Sequence, residues 1–179
     1  MTSLAPGAAR LTATIMTKNS MATLPDCIAS LDFCDEIVVM DDFSEDGTWE
    51  FVKSLGDRVI AVQRKLDCFS SHRQARTSYA KTDWVLLVDA DEQALPGLGE
   101  EIKALLSSGP SSMAYHVPQK NILPAHWPKQ IHFWTSQKRL LNLKDVRWED
   151  SEWIHVPAVH SGKAGRLKNG LKHYSYDSM

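Results

Sequence analysis

Short apolar, β-branched segments alternate with helix-like segments over the first two thirds of this 179-residue chain. The apolar segments predict strands at residues 11–16, 36–40, 59–62 and 84–88. The other segments predict four helices: one with Pro25 in its first turn, one that begins at Thr48, one over 69–80 and one over 98–106. This alternation predicts an α/β fold, with a three-layer α/β/α arrangement around a mostly parallel central sheet.

Polar side chains follow three of the predicted strands. Thr17 follows the first strand, Asp41 and Asp42 follow the second, and the acidic cluster of residues 89–92 follows the fourth. Ligands of open α/β sheets bind beyond the carboxyl ends of the strands. We therefore expect these groups, which are far apart in the sequence, to meet along one rim of the sheet.

The acidic cluster reads Asp89-Ala90-Asp91-Glu92 and follows four aliphatic residues. Ionised carboxylates crowded at a strand end repel each other unless a cation or hydrogen-bond donors balance them. Oxygen ligands of this kind suit Mg²⁺ or Mn²⁺, which prefer one or two carboxylates together with substrate phosphates. The cluster predicts a metal site for a phosphate-bearing substrate, and the alternative is a set of helix-capping and solvated loop residues.

The pattern becomes less regular after Val117. Strand-like pieces occur at residues 131–134, 139–143 and 171–176, and four of the six tryptophans lie in this part. We expect one domain over residues 1–179, in which a second part over about 118–179 packs on the sheet of the first part, about 10–117, as an added subdomain. The tryptophans suit either a sugar-binding wall or core packing.

The formal net charge of −2 conceals an uneven distribution. Residues 1–117 hold 10 Lys/Arg against 17 Asp/Glu, whereas residues 118–173 hold 10 against 4. The acidic part fits a metal site, and the basic part suits an anionic nucleotide, an anionic acceptor or a membrane surface, unless it is only a solvated face. The positive charge is dispersed and no recognition motif is present, which argues against nucleic-acid binding.

Several features predict a cytoplasmic protein. No apolar stretch approaches the roughly 20 residues that span a bilayer, and residues 1–10 lack the pattern of a signal peptide. The three cysteines have no metal-ligand spacing, and their odd number suits a reducing compartment. The sequence ends at Met179 without a long amphipathic extension, so we expect at most peripheral contact with the inner face of a membrane.

Three segments resemble family 2 glycosyltransferases of the GT-A fold, in their order and approximate separation: residues 13–19, residues 35–48 with Asp41-Asp42-Phe43-Ser44, and residues 83–92 with Asp89-Ala90-Asp91-Glu92. Residues 165–176 are similar to the branch that contains lipopolysaccharide core glucosyltransferases. The resemblance implies a metal-dependent, inverting transfer of a hexose from a nucleotide diphospho-sugar, usually UDP-linked, to a glycan or lipid-linked acceptor.

The resemblance also implies roles for individual residues. The nucleotide site would include Thr17, Asn19, Asp41 and Asp42, of which the threonine and the two aspartates would hold the base and ribose. Arg73 would reach the base or the diphosphate, and Asp89 would lie near the ribose or a metal-bound water. Asp91 would bind Mn²⁺ or Mg²⁺ directly, and His173 would add to the same metal. For His173 the alternative is a histidine that is hydrogen-bonded under the last strand.

The catalytic base is the point at which this sequence departs from the family. Relatives carry a glutamate directly after the histidine that corresponds to His155, and Val156 occupies that place here. Glu152, next to Trp153, is the preferred substitute, followed by Asp150 and Glu149, unless these residues form a solvated acidic loop.

Two other functions compete with the transferase. The loss of the base leaves open a non-catalytic module that binds a nucleotide-sugar. A sugar-phosphate nucleotidyltransferase would need a glycine-rich phosphate loop after the first strand, and Thr17-Lys18-Asn19-Ser20 contains no glycine.

Overall fold

The computed structural model describes residues 9–66, 69–123, 132–148 and 158–174. Strands and helices alternate over the first part as the sequence predicts. In chain order they are β1 (Leu11–Thr17), α1 (Leu24–Ala29), β2 (Glu36–Asp41), α2 (Thr48–Ser54), a 3₁₀ turn (Gly56–Arg58), β3 (Val59–Gln63), α3 (Phe69–Ser78), β4 (Trp84–Asp89), β5 (Glu92–Ala94) and α4 (Leu98–Ser108).

The second part consists of strands over its described residues. They are β6 (Ala114–Ile122), β7 (His132–Asn142), β8 (Arg147–Trp148), β9 (Ala158–Val159), β10 (Gly165–Arg166) and β11 (Leu171–Tyr174). The sequence predicts two separate pieces where the structure has the single strand β7, and it predicts neither β5 nor β6.

One nine-stranded sheet carries most of the described strands, in the order β3-β2-β1-β4-β7-β6-β11-β5, with β10 beside β6. Strands β1 to β4 pair in parallel, whereas β7 is antiparallel to both β4 and β6. The second part of the chain therefore continues the sheet, and our expectation that it packs on the sheet as an added subdomain is wrong in this respect.

The sheet curls back on itself between β4 and β5. Four strand spacings of about 4.8 Å each separate these two strands along the sheet order, about 19 Å if the sheet were flat. Only Ala90 and Asp91 connect Asp89, the end of β4, to Glu92, the start of β5, and this connection reaches about 10 Å at most. The curvature therefore surrounds the acidic turn with residues of β7, β6 and β11.

The core lies between the sheet and the helices α1, α2 and α4. Its fully buried members include Ile15, Ile37, Leu86, Ile102 and Leu140, from four strands and α4. Burial of each such side chain contributes about 1.5–3 kcal/mol, which fixes the faces of the strands and so the direction of their last residues. None of the helices within the described residues is long and apolar enough to cross a membrane.

Candidate functional site

The carboxyl ends of β1, β2 and β4 form one rim, as the sequence predicts. Thr17 pairs with Asp41 in the parallel register of β1 and β2, and Met16 pairs with Asp89 in that of β1 and β4. Each of Thr17, Asp41 and Asp89 is the last residue of its strand. The topology thus brings together side chains that are as many as 72 positions apart in the sequence.

Asp41 is fully buried in this rim, and its carboxylate holds the loop that follows β2. It accepts hydrogen bonds from the hydroxyl of Ser44, from the Ser44 backbone N–H at 3.0 Å and from Gln63 Nε2 at 3.1 Å. Thr17 is also buried, at 2% exposure, and its Oγ1 has no hydrogen-bond partner within the described part of the chain. Thr17 therefore retains a hydroxyl that can bind a ligand, whereas both carboxylate oxygens of Asp41 already accept hydrogen bonds from neighbouring residues.

Asp42 forms an ion pair with Lys18 at 2.8 Å and accepts the Leu66 N–H at 3.0 Å. Partial burial raises the pKa of this carboxyl, but the hydrogen bonds from Lys18 and Leu66 outweigh it and hold the pKa below its usual value. Asp42 is therefore a stable anion at neutral pH.

Asn19 connects the loops that follow β1 and β2. Its Oδ1 accepts the Glu45 N–H at 2.8 Å, and its own N–H donates to Ser44 Oγ at 2.8 Å. Asn19 and Phe43 both have positive φ angles, 48° and 51°, which non-glycine residues rarely adopt. The structure places Asn19 at the predicted rim and gives its side chain a loop-fixing contact.

The turn between β4 and β5 contains the acidic cluster, and Glu92 organises it from inside. Glu92 is fully buried; its Oε2 accepts the Asp89 N–H at 2.8 Å, and its Oε1 accepts from Gln119 Nε2 at 2.7 Å. Arg139 Nη2 lies 2.9 Å from both Glu92 Oε1 and Asp89 Oδ2. One guanidinium group from β7 therefore fixes two carboxylates of the turn.

The pKa values of Asp89 and Glu92 are shifted in opposite directions. Burial raises the pKa of Asp89, but the positive charges of Arg139 and then Arg76 more than reverse the effect, so its pKa lies well below its usual value. Burial raises the pKa of Glu92, and the nearby Asp89 raises it further against the opposing effect of Arg139. Asp89 therefore carries the firm negative charge, and its side chain is 44% exposed at the rim.

Asp91 and His173 converge beside this turn. Asp91 Oδ2 lies 3.2 Å from His173 Nε2, and both side chains are partly exposed. His173 Nδ1 lies 2.8 Å from Asn121 Oδ1, while Asn121 Nδ2 faces the hydroxyl of Thr135 at 3.1 Å. The amide of Asn121 is thereby oriented with its oxygen toward His173, so Nδ1 donates the hydrogen bond and Nε2 faces Asp91.

The hydrogen bond to Asp91 raises the pKa of His173 above its usual value, against the lowering effect of partial burial. A protonated Nε2 therefore donates to Asp91 in the absence of other partners. The predicted alternative, a histidine hydrogen-bonded at the last strand, holds for Nδ1, while Nε2 remains directed at the predicted metal ligand.

The donor set of Asp91 and His173 fits a hard divalent cation that completes its shell with water and phosphate. Mg²⁺ keeps several waters and uses one or two carboxylates, and Mn²⁺ also accepts imidazole nitrogen. Asn121 holds His173 in the tautomer whose Nε2 can bind a metal. Within the described residues, no group of three or more His, Cys, Asp or Glu side chains is arranged to enclose a metal ion, so a substrate would have to supply further ligands.

Arg73 lies on α3, and its guanidinium carbon is 5.9 Å from the centre of the Trp148 ring. It is within electrostatic range of Asp89, which favours its charged form, although burial lowers the pKa of Arg73 from its usual value. The structure thus brings this predicted site residue toward the acidic turn. The predicted base residues Glu149, Asp150 and Glu152, and Val156 with them, lie outside the described residues.

Arg139, Gln119 and Asn121 are site residues that the sequence did not reveal. They lie on β6 and β7, where they alternate with residues on the opposite side of the sheet, and they hold Glu92 and His173 in place. A buried Glu92 requires a cation or hydrogen-bond donors nearby, and this requirement is the only sequence signal that these partners exist. The sequence did not show which strands would supply them.

The rim, the parallel half-sheet and the antiparallel β7 define the GT-A fold of nucleotide-diphospho-sugar transferases. Residues 12–175 match the model of the family described as glycosyl transferase family 2. The chain belongs to this family, which confirms the resemblance and the fold class predicted from the sequence.

Two curated relatives illustrate the similarity. The lipopolysaccharide core biosynthesis glycosyltransferase LpsC of Rhizobium meliloti (strain 1021) is 27% identical over 170 residues, which are 92% of this chain and 63% of that protein. An uncharacterized glycosyltransferase of Rickettsia felis (strain ATCC VR-1525 / URRWXCal2) is 33% identical over 183 residues, 95% of this chain and 64% of that protein. The chain thus spans just under two thirds of the length of these relatives.

Solved structures share the fold at low sequence identity. S. aureus TarS 1-349 in complex with UDP-GlcNAc matches with a TM-score of 0.65 and 15% identity over 95% of this chain and 60% of that chain. The mannosyltransferase PcManGT from Pyrobaculum calidifontis, in complex with GDP-Man and Mn²⁺, matches with a TM-score of 0.52 and 20% identity over 63% of this chain and 36% of that chain.

Proposed function

We propose that this chain transfers a hexose, with inversion, from a UDP-linked donor to a glycan or lipid-linked acceptor, with the help of Mn²⁺ or Mg²⁺. The observation that carries the proposal is the convergence of Asp91 Oδ2 and His173 Nε2, 3.2 Å apart, beside the exposed carboxylate of Asp89. These groups lie at the carboxyl end of β4, where ligands of such sheets bind.

The nucleotide would lie along the rim between β1, β2 and β4. The buried Thr17 hydroxyl, which has no described partner, is available to the base and ribose. Asp42, which already binds Lys18 and the Leu66 N–H, would contribute its negative charge beside them. Asn19 and Asp41 would support this site by fixing its loops, since their polar atoms already bind neighbouring loop groups. Arg73 would approach from α3.

Asp91 and His173 would hold the divalent metal. Asp89 would contact the ribose from the side of β4. When bound, such a metal supplies Lewis-acid stabilisation of the negative charge on a departing nucleoside diphosphate. Arg139 and Arg76 keep Asp89 ionised, Glu92 holds the Asp89 backbone N–H, and Asn121 keeps His173 Nε2 directed at Asp91.

Inversion requires a carboxylate that takes the proton of the acceptor hydroxyl on the face opposite the diphosphate. We propose Glu152 for this role, with Asp150 and Glu149 as the other candidates. The basic composition of residues 118–173 suits an anionic, lipopolysaccharide-type acceptor at the inner face of a membrane. The similarity to LpsC supports this class of acceptor.

A non-catalytic module that binds a nucleotide-sugar is the second candidate, because Val156 occupies the position at which relatives carry the base. Both candidates require the same donor site. They differ only in turnover, so release of UDP from a UDP-hexose, with and without a panel of glycan and lipid-linked acceptors, separates them.

The donor site is tested by thermal unfolding with UDP or GDP and Mn²⁺ or Mg²⁺. At a UDP concentration of about 100 times Kd, the stabilisation is about 2.7 kcal/mol, which raises Tm by about 5–10 °C in a chain of this size. Asp91→Ala should abolish this metal-dependent rise.

Asp83→Ala is the matched control. Asp83 precedes β4, its side chain is 56% exposed, and it pairs only with Lys144 among the described residues, at 2.7 Å. This variant should respond to UDP and metal as the wild type does. A wild type that responds to no nucleoside diphosphate with either metal, or an Asp91→Ala variant with an undiminished response, would contradict the proposed donor site.

A further inference from the structure

Arg76 is a buried cation, and two of its three side-chain nitrogens lack hydrogen-bond partners in the described part of the chain. The residue is 3% exposed, and its Nε and Nη1 atoms have no partner there. A guanidinium group in such a position is costly, because these two nitrogens have lost their hydration without gaining compensating hydrogen bonds. Such an exception requires an explanation.

The position of Arg76 connects it to the acidic turn. It follows Arg73 by three residues on α3, so the two side chains share one face of the helix. Asp89 and Glu92 favour the charged form of Arg76, whereas Arg73 and Arg139 oppose it. Arg76 is therefore within electrostatic range of the carboxyl end of β4.

The carboxylates near Arg76 are already bonded to another cation. Asp89 Oδ2 and Glu92 Oε1 each lie 2.9 Å from Arg139 Nη2. Burial lowers the pKa of Arg76 to about 10, so the side chain is still positively charged at neutral pH. The protein thus maintains a charged guanidinium group behind the rim that its described carboxylates do not neutralise by contact.

We propose that Arg76 is the fixed positive charge of an anion subsite at the carboxyl end of β4, and that its ligand is the diphosphate of the nucleotide donor. The inference rests on the proposed function for the identity of that ligand. The Asp89 side chain, whose ionised form Arg76 favours, is 44% exposed, so a ligand can reach the carboxyl end of β4. Arg76 acts on it through space, because charges interact over longer distances in a protein interior than in water.

Replacement of Arg76 by methionine tests the proposal in two opposite directions. Methionine keeps the length of the side chain and removes the buried charge, so Tm of the protein without ligand should rise, by about 2–4 °C for each kcal/mol gained. The affinity for UDP should fall by about tenfold or more. A residue with only a structural role would not give this combination.

Arg76→Lys is the charge-conserving variant and should retain most of the affinity for UDP. Arg166→Met is the matched control, because it removes the same charge from an exposed position on β10 and should bind UDP as the wild type does. The probes are UDP, inorganic pyrophosphate and uridine, titrated by calorimetry with Mg²⁺ and with EDTA. Uridine lacks the diphosphate, so its affinity should be the same in all variants.

The outcomes separate this inference from the proposed function. An Arg76→Met variant that binds UDP and pyrophosphate as the wild type does, or that is less stable than the wild type, overturns the role of Arg76 and leaves the transferase proposal intact. Arg76-dependent binding of pyrophosphate without binding of any nucleoside diphosphate supports the subsite and contradicts the donor. A wild type that binds neither pyrophosphate nor UDP overturns both.

Discussion

Replacement of Arg139 by methionine should destabilise the protein far more than loss of a surface ion pair of similar length. The Arg139 side chain is 7% exposed and is the cation of the fully buried Glu92. Removal of Arg139 leaves both Glu92 and Asp89 without their cation; Glu92 can then take up a proton, since burial already raises its pKa, but loss of the partner of such buried groups still costs about 3–5 kcal/mol. With a urea m-value of about 2 kcal/mol/M, the unfolding midpoint should fall by about 2 M.

Lys144→Met is the control with matched distance and different burial. Lys144 and Asp83 are 2.7 Å apart, compared with 2.9 Å for Arg139 and Glu92, but their side chains are 73% and 56% exposed. Water replaces the lost partner at such a surface, so Lys144→Met should cost at most about 1 kcal/mol. Burial is then the variable that the comparison isolates.

The double variant Arg139→Met/Glu92→Gln completes the experiment. Glutamine at position 92 carries no charge that requires a cation, so the double variant should cost less than the sum of the two single variants, with a coupling energy of about 2 kcal/mol or more. The stabilities of the wild type, the two single variants and the double variant are measured by urea unfolding, with circular dichroism as the signal. The comparison requires that all four proteins have the same m-value. Additive costs, or an Arg139→Met variant as stable as Lys144→Met, would refute the role of Arg139 as the buried partner of Glu92.

Three further outcomes follow from other contacts. Asn121→Leu removes the acceptor for His173 Nδ1. The affinity for UDP in the presence of Mn²⁺, measured by calorimetry, should therefore fall by about 10-fold or more. The free energy of unfolding in EDTA should change by less than this loss of binding free energy. Gly170→Ala should cost about 1–3 kcal/mol in urea unfolding, because the added Cβ would lie 2.0 Å from the Pro118 carbonyl oxygen and displace β11. Asp46→Ala should cost about 1 kcal/mol at pH 7, since Asp46 accepts the N–H groups of Met21 and Thr48. Burial raises the pKa of Asp46, but the hydrogen bond from the Thr48 hydroxyl, and then those from the two N–H groups, hold the pKa below its usual value. The contribution of Asp46 to stability is therefore complete above the unfolded pKa of about 3.9 and disappears as the pH falls through the folded pKa. Urea unfolding at decreasing pH should show the stabilities of the variant and the wild type converging.

The parallel half of the sheet follows from the sequence because its strands are buried on both faces. Residues 11–16, 36–40 and 84–88 are predominantly apolar and β-branched, and the structure has strands there, each one residue longer at its carboxyl end. The extra residues are Thr17, Asp41 and Asp89 themselves. Polar residues mark the end of a strand in the sequence, and at this rim they are still part of the sheet.

Strand β6 escaped prediction for a reason connected with the site. Its buried positions alternate regularly, but two of them are Gln119 and Asn121 instead of apolar residues, and Pro118 interrupts the pattern on the other side. Hydrophobic alternation is lost where buried polar residues are needed to hold Glu92 and His173. Sequence rules for secondary structure are least reliable at such positions, because the residue makes a specific buried hydrogen bond instead of an apolar contact.

The arrangement of the candidate metal ligands depends on strand register across the curled end of the sheet. His173 pairs with Glu92 in the antiparallel ladder of β11 and β5, and with Asn121 in the parallel ladder of β11 and β6. A slip of one residue would turn His173 to the opposite face and separate it from both Asn121 and Asp91.

The buried bonds of Glu92 oppose that slip, since a displaced β5 would remove its carboxylate from Arg139 and Gln119. A buried ion pair is weak support for stability as such, but it favours one register over its neighbours because every other register leaves a charge without a partner. The acidic turn of the first part of the chain and the strands of the second part therefore specify each other. The Asp89-Ala90-Asp91 motif can be recognised in the sequence, but the contacts of its side chains form only in the complete sheet.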